Sequence, residues 1–585
     1  MPLLAGVAFL KCNPNDFLSA PIRSFRTAAN RRIIVNTLFK LASTSLMGMA
    51  LLAGPTWAQD QIRTLHLLSR PQAAQPAEFQ SIQLIAQEWR KLGLDVEVDV
   101  MPWEQMSSEV WYERDKWDAT AWQMTGRPER SDPDEIIYNL FHSSTAESGY
   151  NFIGYSSPEY DAVVEKQRIT VDPDARQALV REAQEILAKD QPNMMLVHPE
   201  QAFVFDKNIW DASSVVNQSG IGIRNTWTWL SLTPKTDQKD IIVNSADNVI
   251  AVNPLYISGV TDSWMTELVY DRLFRVGPDG LPKEWAAESF EWRDGATIAV
   301  TLREGMMWHD GQPMTAEDVK FSFETTVGGE APMYAPFGKG ISDIAIEGDN
   351  VIVFTLATPS ASFITSSLAK INLIPKHVWE PILADLATKD ENAESYQEAT
   401  PIGSGPYKFD RWITNEEIVL SANNEHFNAP KADRWILRLV PNAEAALGML
   451  RSGEINFLTD FSGDPQVLID AADADGDLEV VATVDIGFRY VAFNNRRPPF
   501  NDPAFRAALS SAVDRRLIVK AAFKDFAVAS NSVVSPALEF WHDKAVVDDF
   551  KAGPDVAKQL LEDAGYTMVD GRLAYPDGVE ETLDK

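Results

Sequence analysis

The chain has 585 residues, with 84 acidic against 52 basic side chains, for a net charge of −32. That length exceeds what one hydrophobic core organises, so two or three domains are expected, and the acidic balance lacks the basic surface that a nucleic-acid partner requires. One cysteine, Cys12, excludes an internal disulfide and any cysteine-based zinc or iron–sulfur site, and the seven scattered histidines form no close pair, so no metal and no cofactor is expected.

In chain order, Arg31-Arg32 precede an apolar run over 41–53 that ends in small residues near Ala58. Basic residues, an apolar run and a small residue are the pattern of an export leader cleaved near Ala58. The run is short for a bilayer span, the alternative being a membrane anchor or a buried helix. The expectation is a leader over 1–58 and a soluble protein in the periplasm, with the twin arginine hinting at a different export route.

From 78 to 92, Phe79, Ile82, Ile85, Ala86 and Trp89 recur at helical spacing, and Gly93 is a natural stop. Residues 94–100, LDVEVDV, alternate as a half-buried strand does. Residues 172–190 form a second amphipathic helix with Asp172 or Asp174 as its cap. LTPKTDQKD, 232–240, is polar and aperiodic and reads as a linker, after which DIIVNS starts a new strand. FEWRDGATIAVTL is a hairpin turning at Asp294-Gly295, with Ile298, Val300 and Leu302 on one face. NVIVFTLA, 350–357, is a strand; 502–520 is one helix; 555–565 is a short helix closed by Gly565; and a turn at Pro576-Asp577-Gly578 leads into a last strand. Helices alternating with strands make the class α/β.

The stretch REGMMWHDGQPMTAEDVKFSF, 303–323, gathers a Trp, a His and four acids. Asp310-Gly311 is a turn, and Thr315 with Asp318 has capping-box spacing, so the later acids start a helix. His309 has no histidine neighbour. The stretch therefore reads as architecture and not as a metal or acid–base site.

It also carries a resemblance. Residues 286–323 are similar to the signature segment of the extracytoplasmic solute-binding proteins of ABC importers, peptide/nickel-binding class (solute-binding protein family 5). PIGSGPYKF (401–409), SANNEHF (421–427), LRSGEINF (450–457), AFNNRRPPFNDPAFRAALSSAVDRRLI (492–518) and AKQLLEDAGY (557–566) follow in that family's order, with GSG where GTG is more usual. The first part of the mature chain resembles the same family's C-terminal third: AQEWRKLGLDVEVDVMPW (86–103), YNLFHSS (138–144) and the segment 154–200. End-first order points to a circular permutation, the alternative being a broken or fused gene. The resemblance implies an α/β, two-lobed periplasmic-binding-protein-like fold of type II with an extra subdomain on one lobe, in circularly permuted chain order. Residues 59–235 would build mostly the second lobe, returning to the first near 205–235; 236–485 would be the first lobe with its subdomain; 486–585 would complete the second.

It further implies a monomer that captures a small-molecule or peptide-like ligand by lobe closure and hands it to ABC permease subunits, with no catalytic residue. In peptide-binding relatives an acid shortly after the Trp of this region anchors the peptide amino terminus; counting from Trp122, Thr125 stands there instead. Candidate ligand contacts are Trp122 (a stacking face or a core residue) and Arg127 (a carboxylate clamp or an ion pair of the protein itself). Arg489 or Tyr490 would point inward, not both, and Asn494 follows at the strand end. Trp541 and Tyr256 are loop aromatics with packing as the alternative. Two rivals stay open. A glycoside hydrolase needs facing carboxylates, and no marked pair is visible; a sensory binding protein would share every feature above.

Overall fold

One 14-residue strand, Asn193–Asp206, runs from one half of the molecule into the other. In this computed structural model, which describes residues 60–256, 260–396 and 400–579, it lies in a twelve-stranded sheet. The expected leader and Cys12 lie outside the described residues. The sheet order is Tyr407–Ile413, Glu417–Ala422, Arg434–Leu439, Asp240–Ser245, Phe457–Leu458, Asn193–Asp206, Phe488–Phe493, Ala119–Met124, Leu65–Ser69, Val96–Val100. Leu478–Val484 and Ala527–Ala529 also pair with the long strand.

The long strand has two partners in succession. Residues 193–197 pair antiparallel with 489–492, and 200–206 pair antiparallel with 478–484. The chain thus crosses between the sheet halves twice, once outward near 199–202 and once back through Asp485-Ile486-Gly487. Each half has its own two-sided core. In the first, successive residues alternate between the two cores: Leu67, Ala121 and Val491 to one side, Leu68, Trp122 and Tyr490 to the other. Strands buried on both faces read as near-continuous apolar runs, as these do. The second half is covered by separate clusters around Trp229, Tyr407 and Trp435 on one face and Leu450, Ile455 and Leu468 on the other. A four-stranded antiparallel sheet, Ile341–Glu347, Val351–Leu356, Thr297–Leu302 and Ala287–Asp294, forms the core of a subdomain with the helices Ala316–Gly328 and Lys376–Thr388. This is an α/β, two-lobed arrangement with an added subdomain.

Local rules account for the elements. The helix Pro76–Arg90 takes proline in its first turn and buries Ile82, Ile85, Ala86 and Trp89. Asp172 caps Pro173–Asp190, accepting from the Ala175 N–H at 2.9 Å. The Thr315–Asp318 box is complete: Asp318 Oδ2 accepts from the Thr315 N–H at 2.9 Å, and Thr315 Oγ1 accepts the Asp318 N–H at 3.4 Å. Asp318 Oδ1 also accepts from the Lys376 N–H at 2.9 Å, so the same carboxylate seats the next helix.

One expectation is corrected. Residues 502–520 are not one helix but two, Pro503–Ser511 and Arg515–Ala522. Asp514 accepts from the Arg516 N–H at 3.0 Å and so starts a second helix. The Arg515 guanidinium satisfies carbonyls freed at the break, donating to Ser510 O at 2.7 Å and Val513 O at 3.2 Å. The turn expected at 576–578 is present, with the Val579 N–H donating to Pro576 O at 3.1 Å; the strand expected after it falls outside the described residues. Near this end the Ile62 N–H donates to Leu573 O at 2.9 Å and Gln61 bridges Ala574, so the first described residues lie beside the last ones.

His309 belongs to this framework. Its N–H donates to Gly403 O at 2.8 Å, its Nε2 donates to Gly405 O at 2.9 Å, and its Nδ1 accepts from the Gly403 N–H at 3.3 Å. The GSG loop in turn lies on the end of the helix Val260–Val269: the Gly405 N–H donates to Val269 O at 2.9 Å. A Cβ at position 403 would sit 1.9 Å from that carbonyl oxygen. Backbone cannot give way as a side chain can, so Gly403→Ala is expected to lower stability by about 1–3 kcal/mol, as overpacking does. Urea unfolding of the full chain measures this, and an unchanged midpoint would contradict the close approach.

Candidate functional site

A cleft opens where the two crossing segments meet the loops of both lobes, with a cavity volume of about 120 Å³. The crossing segments supply Gln201 and Asp485, and the loop after Ala119–Met124 supplies Gly126, Arg127 and Pro128. Facing them are Arg224 and Trp227 at the start of Thr226–Ser231, then Trp264 and Glu267 on Val260–Val269, Arg272, and Arg275 in Phe274–Val276. The subdomain contributes Thr365, Ala369 and Lys370 from the short π-turn Ile364–Leu368 and the residues after it. The lobes touch beside the cleft, where the Ala361 N–H donates to Arg168 O at 2.6 Å.

Asp485 is held at the crossing. Its backbone N–H donates to Pro199 O at 2.8 Å, its Oδ1 accepts from the Gly487 N–H at 2.9 Å, and its Oδ2 accepts from Gln201 Nε2 at 3.1 Å. A Cβ at position 126 would lie 1.7 Å from Oδ1, so glycine at 126 is what lets the loop from the first lobe close over this carboxylate.

The arginines differ in how well they are satisfied. Arg272 is buried and donates to Asn372 Oδ1 at 2.9 Å, Ala369 O at 3.2 Å and Glu267 Oε1 at 3.2 Å. Arg275 donates to Glu267 O at 2.7 Å and Tyr270 O at 3.3 Å and lies 3.9 Å from the Asp271 carboxylate, while its Nε is buried without an acceptor among the described residues. Burial pulls its guanidinium down to about 10 against the pull of Asp271. Asp271 itself is held down to about 2, against its burial, by His426, with which it pairs at 3.3 Å, and by Arg275 and Trp285. Arg224 is stacked on the Trp264 ring at 3.8 Å and donates through Nη1 to Thr459 O at 2.8 Å. Burial pulls it also down to about 10, with Asp460 and Asp485 only partly restoring it. Arg127 is exposed at the mouth, and its side chain makes no ion pair or hydrogen bond among the described residues.

Of the residues predicted from sequence, Arg127 is the one that lines this cleft. Trp122 is buried among aromatics, 4.8 Å from the Trp103 ring and 5.1 Å from Phe152. Tyr490 is buried beside Phe488, and its phenol is pushed far above its ordinary value by burial. Arg489 lies on the opposite face from Tyr490, half-buried, and is lowered by burial with Asp485 opposing. Asn494 is fully buried, its amide donating to Arg114 O at 2.7 Å and Trp117 O at 2.8 Å. Trp541 is buried under Arg176 at 5.0 Å. Tyr256 is half-buried beside the undescribed residues 257–259. Sequence reading missed Arg224, Trp264, Arg272 and Arg275; the available signal was a local run of arginines and tryptophans over 224–229 and 264–275 in an otherwise acidic chain. Both carboxylates that line the cleft among the described residues are hydrogen-bonded, Glu267 to Arg272 and Asp485 as above. One group of metal-capable side chains, His66, Glu97 and Asp99, clusters within 4.8 Å on the outer strands Leu65–Ser69 and Val96–Val100 and does not line the cleft.

Two lobes joined by a two-segment crossing, with a cavity at the junction, are a layout in which a ligand can be enclosed between domains. The profile of the bacterial extracellular solute-binding proteins, family 5 (middle region), matches residues 282–583, and the chain belongs to that family. It is similar to the oligopeptide-binding protein AppA of Bacillus subtilis (strain 168), at 27% identity over 353 residues, 59% of this chain and 61% of that protein. It is also similar to the glutathione-binding protein GsiB of Salmonella paratyphi A, at 26% over 355 residues, 60% of this chain and 64% of that protein. The chain thus spans about six tenths of the length of these relatives. The solved structure of Bacillus subtilis AppA with a nonapeptide aligns at 24% identity and a TM-score of 0.41, covering 59% of this chain and 68% of that one.

The crossing also carries a titrating group. His198, fully buried on the long strand, lies 2.9 Å from Gly487 O through Nδ1 and 3.1 Å from Ser532 O through Nε2. Burial lowers it to about 4, outweighing both carbonyls, and burial lowers His309 likewise to about 4. An unfolded histidine titrates near 6.5, so the unfolded chain binds the extra protons between these values. The stabilisation is full above pH ~6.5 and is lost as pH falls toward 4, on the order of 3 kcal/mol for His198. Urea midpoints at pH 7, 6, 5 and 4.5 are expected to fall through this window and to fall less steeply in His198→Gln; a variant with the parent's slope would remove His198 from the account.

Proposed function

We propose that the protein is the extracytoplasmic substrate-binding component of an ABC importer, a soluble periplasmic protein once its leader is cleaved. It captures a small organic solute by lobe closure and delivers it to a membrane permease, with no bond made or broken. The observation that carries this reading is the cleft at the double crossing: Gln201 and Asp485 of the crossing segments line the same cavity as loops of both lobes. Family membership and the oligopeptide- and glutathione-binding relatives support the same reading. Among the described residues no helix is long and apolar enough to cross a membrane. A ligand that prefers the closed state closes the lobes by that difference in affinity. A bound solute is therefore expected to raise the melting temperature and reduce the radius of gyration together, read by thermal shift and small-angle scattering across di- and tripeptides, amino-acid conjugates and oligosaccharides. If every compound left both quantities unchanged, solute capture would be lost as the function.

The chain order is part of the proposal. Residues 59–235 and 486–585 would supply one lobe between them, with 205–235 returning to the other, and 236–485 the first lobe and its subdomain, the family's segments being joined end first. The interleaving of Asn193–Asp206 with Phe488–Phe493 and the contact of Ile62 with Leu573 support this. A rearranged chain that starts at Gln238, with the 579 and 60 ends joined by a short Gly/Ser linker, is then expected to fold cooperatively with a melting temperature near the parent's. Loss of cooperative unfolding in that chain would argue for a required native order.

A further inference from the structure

The cleft has the opposite sign to the rest of the molecule. Five cations line it (Arg127, Arg224, Arg272, Arg275 and Lys370) against two carboxylates, Glu267 and Asp485, in a chain whose net charge is −32. The carboxylates are already engaged, Glu267 by Arg272 at 3.2 Å and Asp485 by Gln201 and the Gly487 N–H. Arg224 is the decisive member. Its guanidinium carbon lies over the Trp264 ring, 3.8 Å from the centroid, and only Nη1 has a protein acceptor among the described residues, the Thr459 carbonyl oxygen. Arg224 is half-buried, and a guanidinium partly withdrawn from water with no carboxylate in ion-pair contact among the described residues stands to gain from an incoming anion. Stacking on an aromatic face leaves the edge of the fork for a planar, two-oxygen acceptor. Arg127 at the mouth adds a second guanidinium with no described partner.

Size narrows the ligand further. The cavity is small, about 120 Å³, so the enclosed part of the solute is small as well. We infer that this cleft takes a small organic carboxylate whose carboxyl group is clamped by Arg224 and Arg127, with Trp264 and Trp227 as the flanking apolar faces. The inference rests on the reading of the chain as a solute-binding protein and specifies its substrate class. Positive potential focused in a low-dielectric cleft also draws such anions in, and does so less as salt rises.

The test uses matched acid and neutral probes on the full chain: dialanine against dialanine amide, gluconate against glucitol, and succinate against succinamide. Thermal shift and calorimetric titration, at low and at physiological salt, are expected to register at least one acid and none of the neutral partners, with weaker binding at the higher salt. Arg224→Gln is expected to weaken that acid by about tenfold or more, as loss of a hydrogen bond to a charged group does. Arg127→Gln, at an exposed position where folding is not at risk, is expected to weaken it as well, and Arg516→Gln on a distant surface to leave it unchanged. A neutral probe that shifts the protein as far as its acid, or an acid that binds the two cleft variants as tightly as the parent, overturns the inference while leaving solute capture standing. No shift with any of the six compounds overturns the inference and counts against solute capture as well.

Discussion

The molecule depends on one constraint: two antiparallel segments must pass side by side from one sheet half to the other without breaking either half. Asn193–Asp206 meets this by changing partner in mid-strand, from 489–492 to 478–484. At the change, residues 199–202 are only half-buried, whereas 193–198 and 203–205 are buried. Apolar packing is therefore concentrated inside each lobe and thin at the crossing. Regions with few buried apolar contacts are where a structure moves at least cost, so relative motion of the lobes belongs at the crossing. What remains there is polar and specific: the Asp485 N–H on Pro199 O, Asp485 on Gln201, and His198 between Gly487 and Ser532. These contacts fix the register of the two segments without filling the space between the lobes, and the cavity lies in that space.

The electrostatics follow from the same division. Acids on the outer surface sit in water, where their charges are well solvated and screened. Among the guanidinium groups at the lobe junction, Arg272 and Arg275 are buried and Arg224 is half-buried, and each of these is compensated differently. Arg272 has Glu267, Asn372 and a carbonyl; Arg275 has Asp271, itself tied to His426 and Trp285; Arg224 has a carbonyl and the face of Trp264. The first two arrangements are largely closed within the protein. The third is open, and an open site in a low-dielectric cleft is where a ligand charge has the most effect.

Much of this fold was legible in the sequence because it rests on local rules. The helix Pro76–Arg90, the Thr315–Asp318 box and the hairpin at Asp294-Gly295 are set by spacing and turn chemistry within a few residues, and His309 is bonded to the 403–405 loop. The break in 502–520 was missed because apolar periodicity continues through Ala512 and Val513; only the role of Asp514 as a cap separates the two helices. The site was harder. Trp122, Tyr490 and Trp541 are aromatics at strand ends or in loops, and such residues look the same in sequence whether they face a cleft or a core. Their burial is decided by partners far along the chain, Phe152 for Trp122 and Arg176 for Trp541. Arg224 and Arg275 lie in short, aperiodic segments where neither helical nor strand spacing marks a face.

The residues that identify the family and those that line the cleft therefore do different work. The signature stretch fastens the subdomain to its lobe: His309 is bonded to the GSG loop, and that loop to the end of Val260–Val269. That same helix carries Trp264 and Glu267 into the cleft. The framework thus reaches the site through a single rigid element, with the signature at one end and the arginine-stacking tryptophan in the cleft. In such an arrangement the side chains on the cleft side of that helix, and on the loops facing it, can vary without disturbing the bonds that hold the frame. This is the physical reason that the family is legible in the signature stretch, whereas the lining of the cleft, Arg224 and Trp264 included, is not.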